Sequence, residues 1–290
     1  MSKAPILTTL CQELQENICD FLNLAELSVF ASVSSLCYMG VEEYINGRKL
    51  VIFARFVSDT EHFITLLRRT DAVVSGSCAL NIVQAKEGAT EINDLDIYTT
   101  LQKFEDLELP SPPPGPYNTS GIAKLFRFQK GKQNVDIIVT NLASAVAPVF
   151  QFHSTIVMNF ISADVIFCAY PAWTLDMLGL IHPRTYKQNG TNYATIQGLA
   201  KYMQRGFTLY SDIGELSPHD NRCVKTYYCP HVSRSTNDKG KLAWEFKRTE
   251  RDTAKGKVRY TDTNAVIWCL GGDQCNNERI TGAPSFVFAT

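Results

Sequence analysis

Three aspartates in the middle of the chain have the type and spacing expected of a metal-binding site. Asp94 and Asp96 are separated by one residue within residues 94–100, where polar and apolar residues alternate as in a half-buried strand. Side chains two apart on a strand point to the same face, about 6.6–6.8 Å apart along the chain. Asp136 lies in a second alternating run, so it adds a third carboxylate if the two strands are neighbours.

Clustered carboxylates repel one another unless cations neutralise them. Magnesium, like manganese, prefers hard oxygen ligands and binds through a few carboxylates together with substrate phosphates. Two such ions about 3.5–4 Å apart activate an attacking hydroxyl and stabilise a leaving group. We therefore expect Asp94, Asp96 and Asp136 to be catalytic residues and also ligands of Mg²⁺ or Mn²⁺.

A glycine-serine pair precedes the aspartates. Gly76 and Ser77 end a short β-type run at residues 72–75 and lead into a helical pattern at residues 78–83. Glycine allows close backbone approach, and a helix start offers free amides and the positive end of the helix dipole. Serine adds a hydroxyl. These groups suit a triphosphate, so the whole set predicts transfer of a nucleotidyl group from a nucleoside triphosphate.

The order of these parts resembles the nucleotidyltransferase fold of the DNA polymerase beta superfamily: an apolar strand, Gly-Ser, a helix, Asp-x-Asp and a later acidic strand residue. The resemblance covers residues 72–140. It implies that Gly76 and Ser77 form the phosphate-binding turn and that Asp94 and Asp96 are the first pair of metal ligands. Asp136 is then the third carboxylate, which helps to deprotonate or orient the acceptor hydroxyl.

Several basic groups are further candidates for binding the nucleotide or its acceptor. Lys201 and Arg205 stand at i and i+4 of a helical pattern, where they could reach a triphosphate. Other basic residues lie between two strand patterns, at Lys124, Arg127, Lys130 and Lys132, and in residues 241–259. Each group also fits a solvated charged face, and the last could bind a polynucleotide. The sequence leaves the acceptor open among an RNA end, a protein side chain and a small molecule.

Cysteine and histidine residues in the C-terminal region raise the question of zinc. Thiolate and imidazole are preferred zinc ligands, and they are present at Cys223, Cys229, His231, Cys269 and Cys275. Both cysteine pairs are six positions apart, wider than the usual zinc spacing. We therefore do not expect a zinc site.

The pattern of helices and strands predicts an α+β fold with a nucleotidyltransferase-like mixed sheet. Two or three short helices are expected before residue 50, with a break at Asn23, and a proline-rich excursion at residues 110–116. Strands are expected at residues 123–129 and 135–140, in the tail, and once within a mainly helical stretch, residues 142–210, at 165–169. We predict a helical head at 1–55, a nucleotidyltransferase-like domain at 56–215 and a β-rich C-terminal region at 216–290.

The N-terminal stretch resembles an F-box, a three-helix motif that binds a Skp-type adaptor of a ubiquitin ligase. The residues that carry the resemblance are Leu10, Leu14, Ile18, Phe21, Leu22, Leu24, Leu27 and Val33. Cys11 replaces the usual proline, and Tyr38 stands near the usual tryptophan. The resemblance implies an adaptor partner for residues 1–50; the alternative is an amphipathic helical cap that packs on the catalytic domain.

Composition excludes several classes of protein. With 28 basic and 29 acidic residues the net charge is −1, which does not suit a nucleic-acid coat or a membrane-surface protein. The N-terminus lacks the apolar region of a signal peptide, and polar residues and prolines interrupt the most apolar stretch, 157–181. Nine cysteines, an odd number, predict mostly buried free thiols in a reducing compartment. We expect a cytoplasmic or nuclear protein with no membrane partner.

Three functions follow from these patterns. The first is a metal-dependent nucleotidyltransferase. The second is a non-catalytic adaptor whose nucleotidyltransferase-like domain only recognises a target or a nucleotide. The third is a nucleic-acid-binding protein that uses the basic residues of the tail.

Overall fold

The computed structural model describes residues 10–105, 121–131, 133–187, 193–216, 226–247, 258–274 and 281–289. Four helices come first: α1 (Gln12–Asp20), α2 (Leu24–Ala31), α3 (Ser35–Ala54) and α4 (Thr60–Thr70). The break at Asn23 is confirmed: its side chain accepts hydrogen bonds from the first turn of α2, and Glu26 reaches back to the Asn23 amide. The expected short helices are also there, except that α3 runs for 20 residues.

The next segment carries the strands of the predicted site. It comprises β1 (Val73–Ser75), α5 (Gly76–Val83), β2 (Asp94–Thr100), α6 (Leu101–Glu105), β3 (Ile122–Lys130) and β4 (Gln133–Thr140). The two predicted strands at residues 123–129 and 135–140 are confirmed as an antiparallel hairpin that pairs Lys130 with Gln133. The proline-rich segment 110–116 lies outside the described residues.

The third segment contains more strands than its sequence predicts. Two 3₁₀ helices (Ala147–Gln151 and Thr155–Val157) precede β5 (Asn159–Ile161), β6 (Val165–Cys168), α7 (Pro171–Leu175), β7 (Leu178–Leu180), α8 (Arg184–Lys187), α9 (Tyr193–Gln204), β8 (Thr208–Tyr210) and α10 (Ile213–Leu216). The prediction of a single strand here was wrong, because β5, β7 and β8 also form. Each has three residues, too few to show a period of two.

The C-terminal part is rich in strands, as predicted. It contains β9 (Arg234–Ser235), β10 (Leu242–Glu245), β11 (Val266–Cys269), β12 (Gly272–Gln274), β13 (Thr281–Ala283) and β14 (Phe286–Ala289). Within it, β11 pairs with both β14 and β9. β10 instead pairs with β6 and so joins the main sheet.

The main sheet has seven strands in the order β10-β6-β5-β1-β2-β4-β3. Its neighbours are antiparallel except β2 and β4, which are parallel. The sheet is therefore mixed, and helices pack against it, which confirms the α+β class. The parallel pair is decisive for the site, because it brings two separate acidic strands side by side.

Each face of the sheet packs into its own hydrophobic core. The first core joins Val74, Leu95 and Ile166 of the sheet to Leu27 and Ile45 of the N-terminal helices. The second joins Val73, Phe160 and Phe167 to the C-terminal residues Val266 and Trp268. Packing thus crosses both predicted boundaries, at 55/56 and at 215/216.

Two simpler observations concern the chain as a whole. Among the described residues, no helix is long and apolar enough to cross a membrane. Seven cysteines in this part are free thiols, and all of them except Cys11 are buried, as the sequence predicts.

Candidate active site

The two strands that carry the aspartates are direct neighbours. β2 and β4 run parallel in a register that sets Asp96 beside Asp136, while on the other side of β2 the antiparallel β1 sets Ser75 beside Asp96. Leu95 points to the opposite face and is fully buried in the first core, which leaves Asp94 and Asp96 together on the other face. The condition that Asp136 belong to a neighbouring strand is therefore met.

Gly76 makes the turn from β1 into α5 and lies against Asp96. Its φ is +65°, a left-handed conformation that glycine adopts without strain. A Cβ at this position would lie 2.2 Å from Asp96 Oδ2, so no other residue fits without moving the carboxylate. The sequence suggested that glycine is needed here so that a ligand can approach the backbone. In the structure, the carboxylate of Asp96 already requires glycine at position 76.

Asp94 is bound by groups from two other elements. The Ser77 hydroxyl, which is buried at the start of α5, donates a hydrogen bond of 2.8 Å to Asp94 Oδ1. From the last turn of α9, Lys201 Nζ lies 3.6 Å from Asp94 Oδ2. The structure thus brings two of the predicted nucleotide-binding side chains, Ser77 and Lys201, onto the first aspartate.

Asp136 is held by an arginine on the edge strand. Arg127 lies opposite Asp136 in the β3–β4 hairpin, and its Nε and Nη2 donate hydrogen bonds of 2.9 and 2.8 Å to the two carboxylate oxygens. Such a bidentate pair fixes the carboxylate in position as well as neutralising it. Arg127 was predicted only as a member of a basic group, and its pairing with Asp136 was missed. The pairing could have been predicted from the cross-strand positions of the two residues in a tight hairpin.

Asp96 stands between the other two carboxylates. Burial, together with the negative charges of Asp94 and Asp136, raises the pKa of Asp96 to about 7, against the smaller opposing effects of Lys201 and Arg127. Near neutral pH this group therefore changes between a neutral acid and a carboxylate. A cation that entered the site would favour the ionised form.

α9 approaches the site over a half-buried histidine, His153. A Cβ at Gly198 would lie 3.0 Å from His153 Nε2, so the glycine allows the helix to pack closely on the imidazole. Burial and the Lys201 charge lower the pKa of His153 to about 4, which keeps the ring neutral. One turn beyond Lys201, Arg205 Cζ lies 5.4 Å from the centroid of the Tyr202 ring. Its Nη1 is buried and has no hydrogen-bond partner among the described residues.

The chemistry of the donor set fits magnesium or manganese, because three carboxylates on two adjacent strands offer hard oxygen ligands. In the part of the chain that the structure describes, no group of three or more His, Cys, Asp or Glu side chains has the geometry of a metal site. Two of the three carboxylates are instead bound by Arg127, Ser77 and Lys201. Binding an ion would require these groups to release them.

Among the residues that the structure describes, the remaining predicted groups do not gather at this site. Lys124 lies 5.6 Å from the centroid of Phe104, on the opposite face of β3 from Arg127. Lys132 and residues 248–257 of the basic tail lie outside the described residues. Cys229 and Cys269 are both buried, and Cys269 Sγ donates to the carbonyl of Pro230. Cys223 and Cys275 are also outside the described residues.

Comparison of the chain with protein-family models, with curated proteins and with solved structures gave no match.

Proposed function

We propose that this protein is a metal-dependent nucleotidyltransferase that moves a nucleoside monophosphate from a nucleoside triphosphate to a hydroxyl acceptor. The observation that carries the proposal is the side-by-side register of Asp96 and Asp136 next to the Gly76 turn. Three carboxylates beside a left-handed glycine at a helix start are an arrangement that few structural roles require, because the mutual repulsion costs stability.

The residues of this chain have distinct parts in the proposed reaction. The amides at the start of α5 would bind the phosphates, favoured by the positive end of the helix dipole. Lys201 would move its charge from Asp94 to a phosphate. The Nη1 of Arg205, which has no hydrogen-bond partner in the described part of the chain, would donate to the nucleotide. Ser77 would orient Asp94 through the hydrogen bond that it already makes.

Asp94, Asp96 and Asp136 would hold Mg²⁺ or Mn²⁺. When bound, these ions supply charge neutralisation at the phosphates and a lower pKa of the acceptor hydroxyl. The chain must make two changes first: Asp96 must lose its proton, and Arg127 must leave Asp136. Asp136, once free of Arg127, would orient the acceptor hydroxyl, whether that belongs to an RNA or to a protein. A cytoplasmic or nuclear location, where nucleoside triphosphates are abundant, agrees with this reaction.

The test is a thermal-shift titration with ATP, GTP, CTP and UTP, each with and without Mg²⁺. A ligand that binds the native state raises the melting temperature by mass action. We expect a magnesium-dependent rise for wild type and none for the Asp94→Ala, Asp96→Ala double variant. Asp176→Asn is the matched control, because Asp176 is an exposed carboxylate at the end of α7 and its loss should leave the shift unchanged.

Transfer itself is measured with α-³²P-labelled nucleotide and a pool of RNA and protein acceptors. Asp96→Asn removes one ligand charge at almost constant size, so it should abolish labelling while the fold is retained. Labelling that persists in Asp96→Asn would overturn the mechanism, and the absence of any shift with all four nucleotides would overturn the proposal of a nucleotide site.

A second function is favoured by the surface of the N-terminal helices. Apolar side chains that remain largely exposed recur within residues 21–39: Phe21, Val29, Val33, Leu36 and Met39. Exposed apolar residues in such density mark an interaction surface, and they fall in the stretch that resembles an F-box. As the alternative we propose that this surface, the head surface, binds a Skp-type adaptor.

The adaptor proposal is tested with the full chain and a purified Skp-type protein. Val33→Asp should abolish capture, whereas Val51→Asp should not, because Val51 is equally exposed but lies at the far end of α3. Failure of wild type to bind the purified adaptor would overturn this alternative and leave the enzyme proposal untouched.

A further inference from the structure

The head has a second feature, which the enzymatic function does not involve and which shares only Leu36 with the head surface. A groove with a volume of about 730 Å³ runs along α3, walled by α1 on one side and by residues after α5 on the other. We call it the α3 groove. The residues of α3 that line it include Gly40, Glu43, Gly47 and Val51. Their spacing of three to four places them on one helix face, and all four are exposed.

The two glycines have no explanation within the chain. Glycine inside a helix costs about 1 kcal/mol relative to alanine, and neither residue has a positive φ that would require it. At Gly47 a Cβ would meet no atom within 4 Å, and at Gly40 it would meet only Gln15 Oε1 at 3.7 Å. Packing within one chain therefore leaves room for side chains at both positions. A second helix that packed closely on this face would leave no such room, and its approach would explain the two glycines.

Two of the cations that line the groove are already bound by groups of the protein. Arg48 is buried and donates to the carbonyls of Gln84 and Asn81. Lys86 forms an ion pair with Asp20 at 2.8 Å. A third cation, Arg55, also lines the groove. The exposed face of α3 in the groove includes Val51, which is 68% exposed and lies near the C-terminal end of the helix.

We infer that the α3 groove binds the α3 helix of a second copy of this chain, in an antiparallel two-fold pair. A two-fold axis midway between Gly47 and Val51 places Val51 of each copy over Gly47 of the other, so that a side chain enters the space that the glycine leaves. The same axis lies midway between Glu43 and Arg55, and therefore sets each carboxylate against the partner's guanidinium. An isologous interface requires such self-complementarity.

The charges are available for this pairing. Glu43 and Arg55 are both exposed on α3, and Arg55 uses Nη2 to donate to the carbonyl of Ile92. A guanidinium has five N–H donors, so this bond leaves donors for a partner's carboxylate. Residues that carry like charge do not meet in this register, whereas a parallel pair would place Glu43 beside Glu43.

Sedimentation velocity of the full chain over a range of concentrations tests the inference. Wild type should form a dimer. Gly47→Leu should weaken the dimer by at least about tenfold without loss of fold, because leucine is the better helix former and has open space in the monomer. Val51→Asp should weaken it similarly, and Val33→Asp, the matched control outside the groove, should not. A wild-type monomer at every concentration, or a dimer unaffected by Gly47→Leu, would overturn the inference.

Charge-reversal variants test the antiparallel register of the proposed dimer. Glu43→Arg and Arg55→Glu should each weaken the dimer, because each places like charges in contact across the axis, whereas the double variant should restore it. A double variant that is as weak as the two single ones would overturn the antiparallel register. None of these measurements depends on nucleotide, so their outcome is independent of the proposed enzymatic function.

Discussion

Arg127 and Asp136 face each other across the β3–β4 hairpin, and both oxygens of the carboxylate accept hydrogen bonds from the guanidinium. The arginine side chain is 65% exposed and the aspartate side chain only 15%. A pair with such an exposed partner contributes little to stability, typically about 0–1 kcal/mol. Its larger effect is to neutralise one of the three carboxylates that the proposed reaction needs.

Removal of this arginine should strengthen metal binding. In Arg127→Gln, no guanidinium competes for Asp136, so we expect a several-fold higher affinity for Mg²⁺ and Mn²⁺ in isothermal titration calorimetry without nucleotide. Lys124→Gln on the same strand is the control, because Lys124 lies against Phe104 on the other face. Equal affinities in wild type and Arg127→Gln would show that the pair does not control metal access.

Replacement of Gly76 should cost more than a strained backbone alone. Gly76→Ala places a methyl group 2.2 Å from Asp96 Oδ2 at a φ of +65°, whereas Gly88→Ala, at a φ of +80°, meets no atom within 4 Å. Left-handed alanine costs about 1–2 kcal/mol, and we expect Gly76→Ala to cost at least about 1 kcal/mol more. Urea denaturation measures both.

The excess cost at Gly76 should depend on the carboxylate. In an Asp96→Ala background the nearest remaining Asp96 atom, Cβ, lies 3.7 Å from the added methyl group, an ordinary contact. Gly76→Ala should then cost about as much as Gly88→Ala. If the excess survives without the carboxylate, the close approach of these two residues is not its cause.

The raised pKa of Asp96 should make stability depend on pH. A carboxyl group whose pKa is about 7 in the folded state and near 4 when unfolded binds more protons in the folded state between these values. Its contribution to stability is therefore complete below about pH 4 and declines as pH rises to 7. Asp96→Asn should gain stability relative to wild type over this interval, measured by denaturation at pH 5 and pH 8.

Lys201 should contribute to nucleotide binding more than to folding. Its Nζ lies 3.6 Å from Asp94, and the lysine side chain is 37% exposed, so loss of the ion pair should change the melting temperature little. Lys201→Met should weaken triphosphate binding by about tenfold in equilibrium titrations with Mg²⁺. Lys239→Met removes an exposed lysine from the C-terminal region and should have no effect. Unchanged affinity in Lys201→Met would remove this lysine from the proposed site.

Local sequence patterns were sufficient to predict the separate elements of the candidate site. Alternation along β2 determined that Asp94 and Asp96 share one face, because strand side chains alternate regardless of what packs around them. The turn at Gly76, the helix that follows it and the start of α2 at Asn23 were likewise predictable, since turn and cap preferences act within a few residues. The same locality explains the failure in residues 142–210, where each three-residue strand is defined by its pairing with another strand: β5 pairs with β1 and β6, and β7 pairs with β8.

Contacts between residues that are far apart in the sequence depended on the tertiary structure. Whether β4 lies beside β2, and in which register, is fixed by pairing among seven strands, and only that pairing sets Asp96 beside Asp136. The packing of α9 on His153 brings Lys201 to Asp94, although the two charges are more than a hundred positions apart.

The sequence by itself therefore determined the elements that carry Gly76, Asp94 and Asp96 and the strand face that the two aspartates share, because those properties follow from local geometry. The tertiary structure alone decided which of them meet, which cation holds each carboxylate and how strongly the pKa of Asp96 is raised. Charge interactions and burial depend on distances through space, and sequence separation does not specify those distances.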